Sequence, residues 1–282
     1  MNTLKLRIAS CNLQNLNELS PEYKIEHFVR ALQDPLLLPD IIALQEIGAS
    51  NSTDESVAVA TVAQTLIDTI KVQANVQYYY IDMPPITGST GGAADFNIRP
   101  AFLVKANIKV SHIEEIGVEE PAFKGDESLN FKASRKPLAM TINVDDQQLI
   151  FINCHLKSQN ARTNQEKKLT KKQRNRQAEI IAEYCQSRHL EQPIIVLGDF
   201  NDTPNSDTLK ILQGGHYISA WDDYTGRLYT TKHRNCPIVL DYFLIDKRLS
   251  LLNPQVHHIN TNLKYSYRFS DHDPISVEIV CP

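Results

Sequence analysis

The stretch Ile194-Ile195-Val196-Leu197-Gly198-Asp199-Phe200-Asn201 is an apolar run that ends in a carboxylate and an amide. A short continuous apolar run, bounded by glycine and polar residues, is typical of a buried β-strand. Polar side chains that directly follow such a strand lie at the edge of its sheet. The stretch therefore predicts a buried strand with a polar group at its exit.

The same pattern recurs along the chain. Apolar runs end at Asn12, Glu46 and His155, and two further runs begin at Asp241 and at Asp271-His272-Asp273. Strands that leave one edge of a sheet, and antiparallel strands that enter at it, would gather these groups into one cleft. Two carboxylates suit a hard divalent cation, and two histidines with amides suit a phosphate. Packing alone is a poor explanation for so many polar strand ends in one chain.

The composition is that of an ordinary globular protein. The chain has 282 residues, of which 42% are hydrophobic and 22% are charged, enough to bury a substantial core. A formal charge of -4 does not mark a nucleic-acid binder, although a local basic face or a bound metal can meet phosphates on an acidic protein. The five cysteines include no Cys-x-x-Cys pair, which argues against structural zinc. Cys11 and Cys154 are expected to be buried thiols, and one disulfide among the others stays open.

The N-terminal residues read directly into a strand and show no apolar segment of a signal peptide. No apolar stretch approaches the roughly 20 residues that a membrane helix needs. We therefore expect a soluble protein without a membrane span, either cytoplasmic or, if a signal peptide was removed, secreted. No long apolar surface stripe indicates an obligate protein partner.

Helix-like and strand-like segments alternate. Helices are predicted at four places, beginning at Ser20-Pro21 and covering residues 54–71, 165–187 and 206–212. Strands are predicted over residues 101–105, 137–144 and 147–154, with a tight turn at Asp145-Asp146 between the last two. Residues 84–97 and 123–134 are predicted to be loops. This mixture favours a mixed sheet over a purely parallel one.

Five short motifs follow one another in the order of a known superfamily. They are Leu44-Gln45-Glu46, Asn153-Cys154-His155-Leu156-Lys157-Ser158, Gly198-Asp199-Phe200-Asn201-Asp202, Leu240-Asp241-Tyr242-Phe243 and Ser270-Asp271-His272. In these motifs the chain resembles the endonuclease/exonuclease/phosphatase superfamily, the deoxyribonuclease I-like fold, over nearly its whole length. The resemblance implies an α/β (α+β) fold, a four-layer sandwich of two mixed β-sheets flanked by helices. It implies a single domain over residues 1–282.

The resemblance also implies a metal site. Glu46 is implied as the principal metal carboxylate, with Asn12 and Asp271 completing or adjoining the site. Magnesium keeps several waters, so one or two carboxylates suffice to hold it. Mg²⁺ is therefore the expected cofactor, with Mn²⁺ or Ca²⁺ as alternatives.

Five further residues receive catalytic roles from the resemblance. Asp199 is implied to orient or deprotonate the attacking water, and Asn201 to donate to a phosphate oxygen. His155 and His272 are implied to flank the phosphate, with Asp241 orienting His272. A carboxylate on one ring nitrogen fixes the imidazole tautomer and raises its pKa. Which residue is the general base stays open.

Basic residues near these motifs are candidates for substrate binding. Arg99 and Arg135 each precede a predicted strand, and arginine binds phosphate in a bidentate fork. Residues 167–176 contain six basic residues, including Lys171 and Arg174, and no acid. Such a stretch would supply sequence-independent affinity for a phosphate backbone, whereas the alternative is a solvated helix face.

The motifs of this chain differ from those of two branches of the superfamily, which argues against the functions of those branches. Inositol-phosphate phosphatases typically carry Trp-Cys-Asp-Arg where this chain has Val239-Leu240-Asp241-Tyr242. Abasic-site enzymes typically carry Trp-Asn and Gln-Glu-Thr-Lys where it has Cys11-Asn12 and Gln45-Glu46-Ile47-Gly48. The runs at 155–158 and 270–274 are more similar to those of bacterial nucleases.

The resemblance thus implies a metal-dependent phosphodiesterase, most similar to nucleases that hydrolyse DNA with little sequence specificity. No base-reading motif is present. One alternative is a phosphodiesterase or phosphatase acting on a lipid or small-molecule phosphate ester. A second is a non-catalytic nucleic-acid-binding protein. The choice between DNA and RNA, single and double strand, and endo and exo attack stays open.

Overall fold

Fourteen strands and five helices form the part of the chain that a computed structural model describes, residues 5–49, 56–91, 96–144 and 147–281. The strands are β1 (Lys5–Leu16), β2 (Ile41–Ile47), β3 (Tyr78–Asp82), β4 (Arg99–Lys105), β5 (Lys109–Glu115), β6 (Leu138–Val144), β7 (Gln147–His155), β8 (Ile194–Asp199), β9 (Tyr217–Ser219), β10 (Thr231–His233), β11 (Cys236–Ile238), β12 (Asp241–Asp246), β13 (Ser250–Val256) and β14 (Ile275–Val280). The helices are α1 (Glu22–Gln33), α2 (Val62–Ala74), α3 (Pro121–Lys124), α4 (Asn164–Arg188) and α5 (Asp207–Gln213), and a short 3-10 helix covers Tyr265–Tyr267.

The strands form two mixed six-stranded sheets and a separate hairpin of β10 and β11. The first sheet has the order β13-β14-β1-β2-β4-β3, and the second has the order β5-β6-β7-β8-β12-β9. Each sheet contains one parallel pair at its centre, β1 with β2 and β7 with β8, and its other pairs are antiparallel.

Four layers result from the alternation of side chains along the strands. In β1, Ile8 faces the second sheet and shares a core with Phe151, whereas Ala9 faces the helical layer and shares a core with Phe28 of α1 and Leu66 of α2. Successive residues of a strand point to opposite faces, so one strand serves both cores. Helices α4 and α5 pack on the second sheet. The predicted four-layer sandwich of two mixed sheets is confirmed.

Helix boundaries follow local capping chemistry. Thr163 and Glu166 form a reciprocal capping box at the start of α4, and the Ser206 hydroxyl caps α5, which ends at Gly214 in the left-handed conformation. Both helices were predicted within one residue. Ser20, in contrast, is not an N-cap. Its hydroxyl accepts a hydrogen bond from the Asn17 amide at 3.0 Å, and the helix begins after Pro21.

Helix α2 begins eight residues later than predicted. Residues 54 and 55 lie outside the described residues, but Val57 forms a bridge with Ile86 and is 57% exposed. This pairing draws the segment towards the loop at 84–91 instead of into a helix. The Asp145-Asp146 turn also lies outside the described residues.

None of the five cysteines, all of which lie in the described segments, forms a disulfide, and Cys11 and Cys154 are buried as expected. The disulfide left open by the sequence does not form. No helix in the described segments is long and apolar enough to cross a membrane.

A buried polar link joins the two sheets beneath the polar strand ends. Asn153 of β7 donates from its amide nitrogen to the main-chain oxygens of Leu44, at 2.9 Å, and Ala101, at 2.8 Å. Gln45 of β2 donates to the Asn153 amide oxygen at 2.8 Å. Both side chains are fully buried. Glu46 directly follows Gln45, and His155 lies two residues after Asn153, so the link sets the spacing of groups that come from different sheets.

Replacing Asn153 by leucine is expected to lower the free energy of unfolding by about 2–4 kcal/mol, because two buried carbonyls and the Gln45 amide each lose one hydrogen bond. Urea denaturation measures the change. The matched control is Asn143→Leu on β6, where the side-chain oxygen accepts a hydrogen bond from exposed Gln148 and a change below about 0.5 kcal/mol is expected. Equal losses in the free energy of unfolding for the two substitutions would show that the Asn153 link does not stabilise the fold.

Candidate active site

The strand register brings the predicted polar groups together. In the second sheet, Asp199 of β8 pairs with His155 of β7 on one side and with Asp241 of β12 on the other. In the first sheet, Asn12 of β1 pairs with Gln45 of β2, which directly precedes Glu46. Residues paired across neighbouring strands project to the same face. The site is therefore built where the two sheets meet.

Asn12, Glu46, His155 and Asp199 form one cluster across the two sheets. The Asn12 amide nitrogen lies 3.2 Å from Glu46 Oε1 and 3.2 Å from Asp199 Oδ2. His155 Nε2 lies 3.5 Å from Asp199 Oδ2 and 3.7 Å from Glu46 Oε1. The sequence analysis assigned these residues to one cleft, and the structure places them in contact.

Asp199 is held by the turn that follows β8. The main-chain amide of Asn201 donates to Asp199 Oδ1 at 2.8 Å, and its side-chain amide lies 3.2 Å from Asp199 Oδ2. Asn201 adopts the left-handed conformation, with φ of 51°, which asparagine tolerates better than most residues. The turn thus places an amide donor beside the carboxylate.

His272 is oriented by Asp241. Its Nδ1 lies 2.7 Å from Asp241 Oδ2, and both side chains are almost entirely buried. This contact leaves Nε2 as the ring nitrogen that can meet a substrate. Asp199, Asp241 and His272 lie close enough together for their ligand atoms to fall within 4.8 Å of one another.

The surroundings give the two histidines opposite protonation states. Burial, with the charges of Arg135 and His272, holds the pKa of His155 well below its usual range. Burial also acts against a charge on His272, but the carboxylates of Asp241 and Asp199 outweigh it and raise the pKa of His272 well above its usual range. Burial raises the pKa of Asp199 to about 7. The surroundings therefore favour the neutral form of His155 and the charged form of His272, and they favour protonation of Asp199.

The donor set fits a hard divalent cation. Glu46 and Asp199 converge on the Asn12 amide, and neither forms an ion pair with a lysine or arginine among the described residues. Glu46, His155 and Asp199 bring their ligand atoms within 4.8 Å of one another. Carboxylate oxygens are ligands that magnesium prefers, and the Asn12 amide nitrogen lies between the two carboxylates.

Asp271 is not a member of either compact group of ligand atoms. Its main-chain oxygen accepts a hydrogen bond from Thr231 Oγ1 at 2.8 Å. Its charge, like that of Glu46, acts on Lys24, which places both carboxylates near the same lysine. The assignment of Asp271 as a metal ligand stays a prediction.

The arginines expected to bind substrate have internal partners. Arg99 pairs with Asp82 at 3.2 Å and donates to main-chain oxygens. Arg135 donates to the main-chain oxygens of His155 and Leu156, at 3.0 and 2.6 Å. All of these arginine atoms are deeply buried. Their guanidinium groups are bonded to partners inside the protein, and substrate contact by Arg99 and Arg135 stays a prediction.

The basic stretch on α4 is also partly neutralised. Arg174 is buried in an ion pair with Asp202, at 3.0 Å, and exposed Lys171 pairs with Asp207, at 2.7 Å. The stretch borders a cavity of about 580 Å³ between α4 and residues 120–131, which none of the clustered catalytic side chains lines. Substrate contact by Lys171 and Arg174 stays a prediction.

Lys24 is a site neighbour that the sequence analysis missed. Its side chain is 6% exposed, and its Nζ donates to the main-chain oxygen of Gln14 at 3.0 Å. Burial lowers its pKa, against the charges of Asp271 and Glu46. A signal was present, because Lys24 shares the apolar stripe of α1 with Phe28 and Leu32 at intervals of four residues.

Gly198 is required by the close approach of β7 and β8. Its φ is 124°, and a Cβ at this position would lie 2.1 Å from the main-chain oxygen of Cys154. Gly198→Ala is therefore expected to lower the free energy of unfolding by more than about 3 kcal/mol, as measured by urea denaturation. Gly88→Ala is the control, because Gly88 also has a positive φ but open space around it, and a cost of about 1 kcal/mol is expected. A similar cost at both positions would show that the strand contact is unimportant.

Asp241→Asn is expected to shift the pH dependence of turnover. The carboxylate raises the pKa of His272, so its removal lets burial dominate and the pKa falls. His272 then loses its proton at a lower pH, and the alkaline limb of the kcat/KM profile moves to lower pH. Asp246→Asn at the other end of β12, which contacts Arg248 instead, is the control with an unshifted profile. An unchanged profile for Asp241→Asn would exclude this role of Asp241.

Comparison with known proteins gives one family match over most of the chain. A family model described as the endonuclease/exonuclease/phosphatase family matches residues 9–272. No curated protein matches the sequence.

Several solved structures share the fold. A family protein from Bacteroides thetaiotaomicron is 15% identical over 100% of both chains, with a TM-score of 0.68. A family protein from Leptotrichia buccalis C-1013-b is 19% identical over 97% of this chain and 99% of that chain, with a TM-score of 0.66. D. rerio TDP2 complexed with a single strand DNA product is 16% identical over 98% of both chains, with a TM-score of 0.65. At these identities the likeness shows the fold alone.

Proposed function

Because this chain belongs to the endonuclease/exonuclease/phosphatase family and is a metal-dependent phosphoesterase, we propose that it is a magnesium-dependent phosphodiesterase that hydrolyses DNA with little sequence preference. The observation that carries the proposal is the convergence of Asn12, Glu46, His155 and Asp199 from both sheets, beside the pair of Asp241 and His272. This arrangement offers proton acceptance and phosphate stabilisation in one cleft.

The metal would be held by Glu46 and Asn12, next to Asp199. When bound there, it would polarise a phosphoryl oxygen and stabilise the leaving oxygen. Mn²⁺ or Ca²⁺ would suit the same oxygen ligands.

Asp199 is the candidate for activating water. Burial raises its pKa to about 7, which makes it a better proton acceptor than an ordinary carboxylate at neutral pH. Asn201 and Asn12 lie within 3.2 Å of it and hold its position. The Asn201 side chain can instead donate to a phosphate oxygen when substrate is bound.

His272 is the candidate for stabilising the charged phosphoryl group. It is held in its charged form by Asp241, which occupies Nδ1 and leaves the Nε2 proton for a phosphate oxygen. Donors placed where charge develops are worth more in a buried site than in water. His155 lies on β7, the strand next to β8, and contacts Glu46 and Asp199.

Three observations support DNA as the substrate class. The fold is shared with D. rerio TDP2, whose structure holds a single strand DNA product. Every position that the resemblance assigns to catalysis is filled, which disfavours a non-catalytic binding protein. The basic stretch of α4, residues 167–176, carries six basic residues and no acid, although the net charge of the chain is -4.

A cleavage assay with four substrates tests the proposal. Supercoiled plasmid, single-stranded DNA, RNA and bis(p-nitrophenyl) phosphate are each incubated with Mg²⁺, Mn²⁺ or Ca²⁺, and with EDTA. We expect metal-dependent cleavage of DNA and of the generic diester. Turnover of the generic diester with DNA and RNA intact would move the substrate to lipids or small molecules, and no turnover of any substrate would contradict the proposal.

A further inference from the structure

A tyrosine-rich and basic surface adjoins His272. Two segments form it, residues 224–240 and 257–269, and neither contains an aspartate or a glutamate. We name the surface the tyrosine rim and define it by six residues: Tyr229, Lys232, Lys264, Tyr265, Tyr267 and Arg268. An acid-free surface on a chain of net charge -4 is complementary to an anionic ligand.

Both segments are bonded to the main chain around His272. Thr231 bridges His272, and its Oγ1 donates to the main-chain oxygen of Asp271 at 2.8 Å. From the second segment, the Asn260 amide donates to the main-chain oxygen of His272 at 2.6 Å. Asp273 is tied to both segments, through Thr230 at 2.7 Å and through Asn260 at 2.8 Å. The tyrosine rim is therefore fixed to the catalytic residue and is not a separate surface.

The outermost rings of the tyrosine rim are open to solvent. Tyr265 is 63% exposed and Tyr267 is 64% exposed, and both belong to the short 3-10 helix that precedes the site. The Arg268 guanidinium carbon lies 5.4 Å from the centroid of the Tyr265 ring, and Lys232 Nζ lies 5.5 Å from that of Tyr229. Aromatic rings interleaved with cations are the usual means of binding single-stranded nucleic acid, because every base offers a face for stacking.

Arg268 retains unused donors. Its Nε is buried without a hydrogen-bond partner, and within the described residues the side chain forms no ion pair. Its charge acts on Lys24, on which the charges of Glu46 and Asp271 also act, so Arg268 lies near the same lysine as these carboxylates. A guanidinium with spare donors suits a phosphate group.

We propose that the tyrosine rim binds a single-stranded segment of nucleic acid beside the scissile phosphate, with bases stacked on Tyr265 and Tyr267 and a flanking phosphate on Arg268. This inference rests on the proposed function and adds strand selection to it. A duplex hides the faces of its bases in its own stack, so it cannot use these rings. A lipid or a small phosphodiester has no successive bases to place on them.

The test compares binding of a fluorescent single-stranded oligonucleotide with binding of a hairpin duplex, by anisotropy in EDTA so that no cleavage occurs. We expect wild-type protein to prefer the single strand. Tyr265→Ala/Tyr267→Ala is expected to weaken single-strand binding by about tenfold or more, and Tyr265→Phe/Tyr267→Phe to restore it. Both rings are exposed, so these changes leave the core intact.

Two further variants separate stacking from charge and from general surface effects. Arg268→Gln is expected to reduce the slope of log affinity against log salt by about one. Tyr79→Ala is the matched control, because Tyr79 is 52% exposed on β3, an edge strand of the first sheet, and no change in binding is expected.

The outcomes distinguish the rim from the proposed function. Single-strand binding that is unchanged in the double alanine variant, or equal binding of duplex and single strand by wild type, would overturn the rim proposal even if DNA is cleaved. Binding that depends on the tyrosines without any cleavage in the presence of metal would uphold the rim and overturn the nuclease proposal.

Discussion

Replacing His272 by alanine is expected to lower kcat/KM on bis(p-nitrophenyl) phosphate by about a hundredfold to ten-thousandfold, the range typical of a positioned acid or base. The loss follows from geometry and charge. Asp241 lies 2.7 Å from His272 Nδ1 and keeps the ring charged and in one orientation. Alanine removes the only donor that this pair presents to a phosphate oxygen and leaves Asp241 buried without its partner.

The small diester is the right substrate for this measurement, because it does not depend on contacts with a long nucleic acid. His112→Ala is the matched control, since His112 is exposed on edge strand β5 of the second sheet, and its turnover should equal that of wild type. Circular dichroism and urea denaturation establish that the His272 variant folds. A folded His272→Ala protein with wild-type kcat/KM would remove His272 from the mechanism.

Replacing Glu46 by glutamine is expected to lower turnover about as much as His272→Ala does, because the variant binds the metal more weakly. Glu46 shares the Asn12 amide with Asp199 and contacts His155, so loss of its charge removes the principal anionic ligand of the proposed site. Activity at saturating substrate should fall by at least about a hundredfold at low Mg²⁺, in keeping with the several kcal/mol of transition-state stabilisation that a catalytic metal supplies. Treatment of wild-type protein with EDTA should abolish turnover, and added Mg²⁺ should restore it.

Metal binding can be measured without activity. A ligand that binds only the folded state raises Tm, so Mg²⁺ or Mn²⁺ should raise the Tm of wild type and of the control Glu127→Gln, an exposed loop position. The Glu46→Gln variant should show a much smaller rise. An equal rise in all three proteins would place the metal elsewhere.

Much of the site could be predicted from local sequence, because its residues stand where apolar runs start or stop. Asn12, Glu46, His155, Asp199 and Asp241 all follow this rule. Most of these side chains are nevertheless buried, so the apolar runs locate them and partners from other strands hold them in place. The register of neighbouring strands then decides which of these residues lie side by side within one sheet.

Residues whose roles depend on side-chain direction could not be assigned in this way. The sequence places Arg99 and Arg135 at the starts of strands but does not say that Asp82 and the His155 main chain lie within reach inside the protein. Lys24 is similar, because its position on an apolar stripe becomes meaningful only beside Gln14. In each case a partner from another part of the sequence sets the direction of the side chain.

The tyrosine rim could not be predicted from the sequence either, because it combines two separate segments of the chain. Tyr229 and Tyr265 belong to segments far apart in sequence, and neither segment has a recognisable binding motif. Their union depends on Lys232, which bonds Asn262 at 2.7 Å, and on the pairing of Thr231 with His272. No local periodicity encodes such a junction.

The position of a bound metal tests the central claim most directly. Anomalous scattering from crystals soaked in Mn²⁺ locates the ion independently of activity. We expect one strong peak bonded to the Glu46 carboxylate, between the ends of β1, β2 and β8, and its loss in Glu46→Gln crystals. A peak bonded to other carboxylates, or no peak at saturating Mn²⁺, would contradict the assignment of this cleft as a metal-dependent phosphodiesterase site.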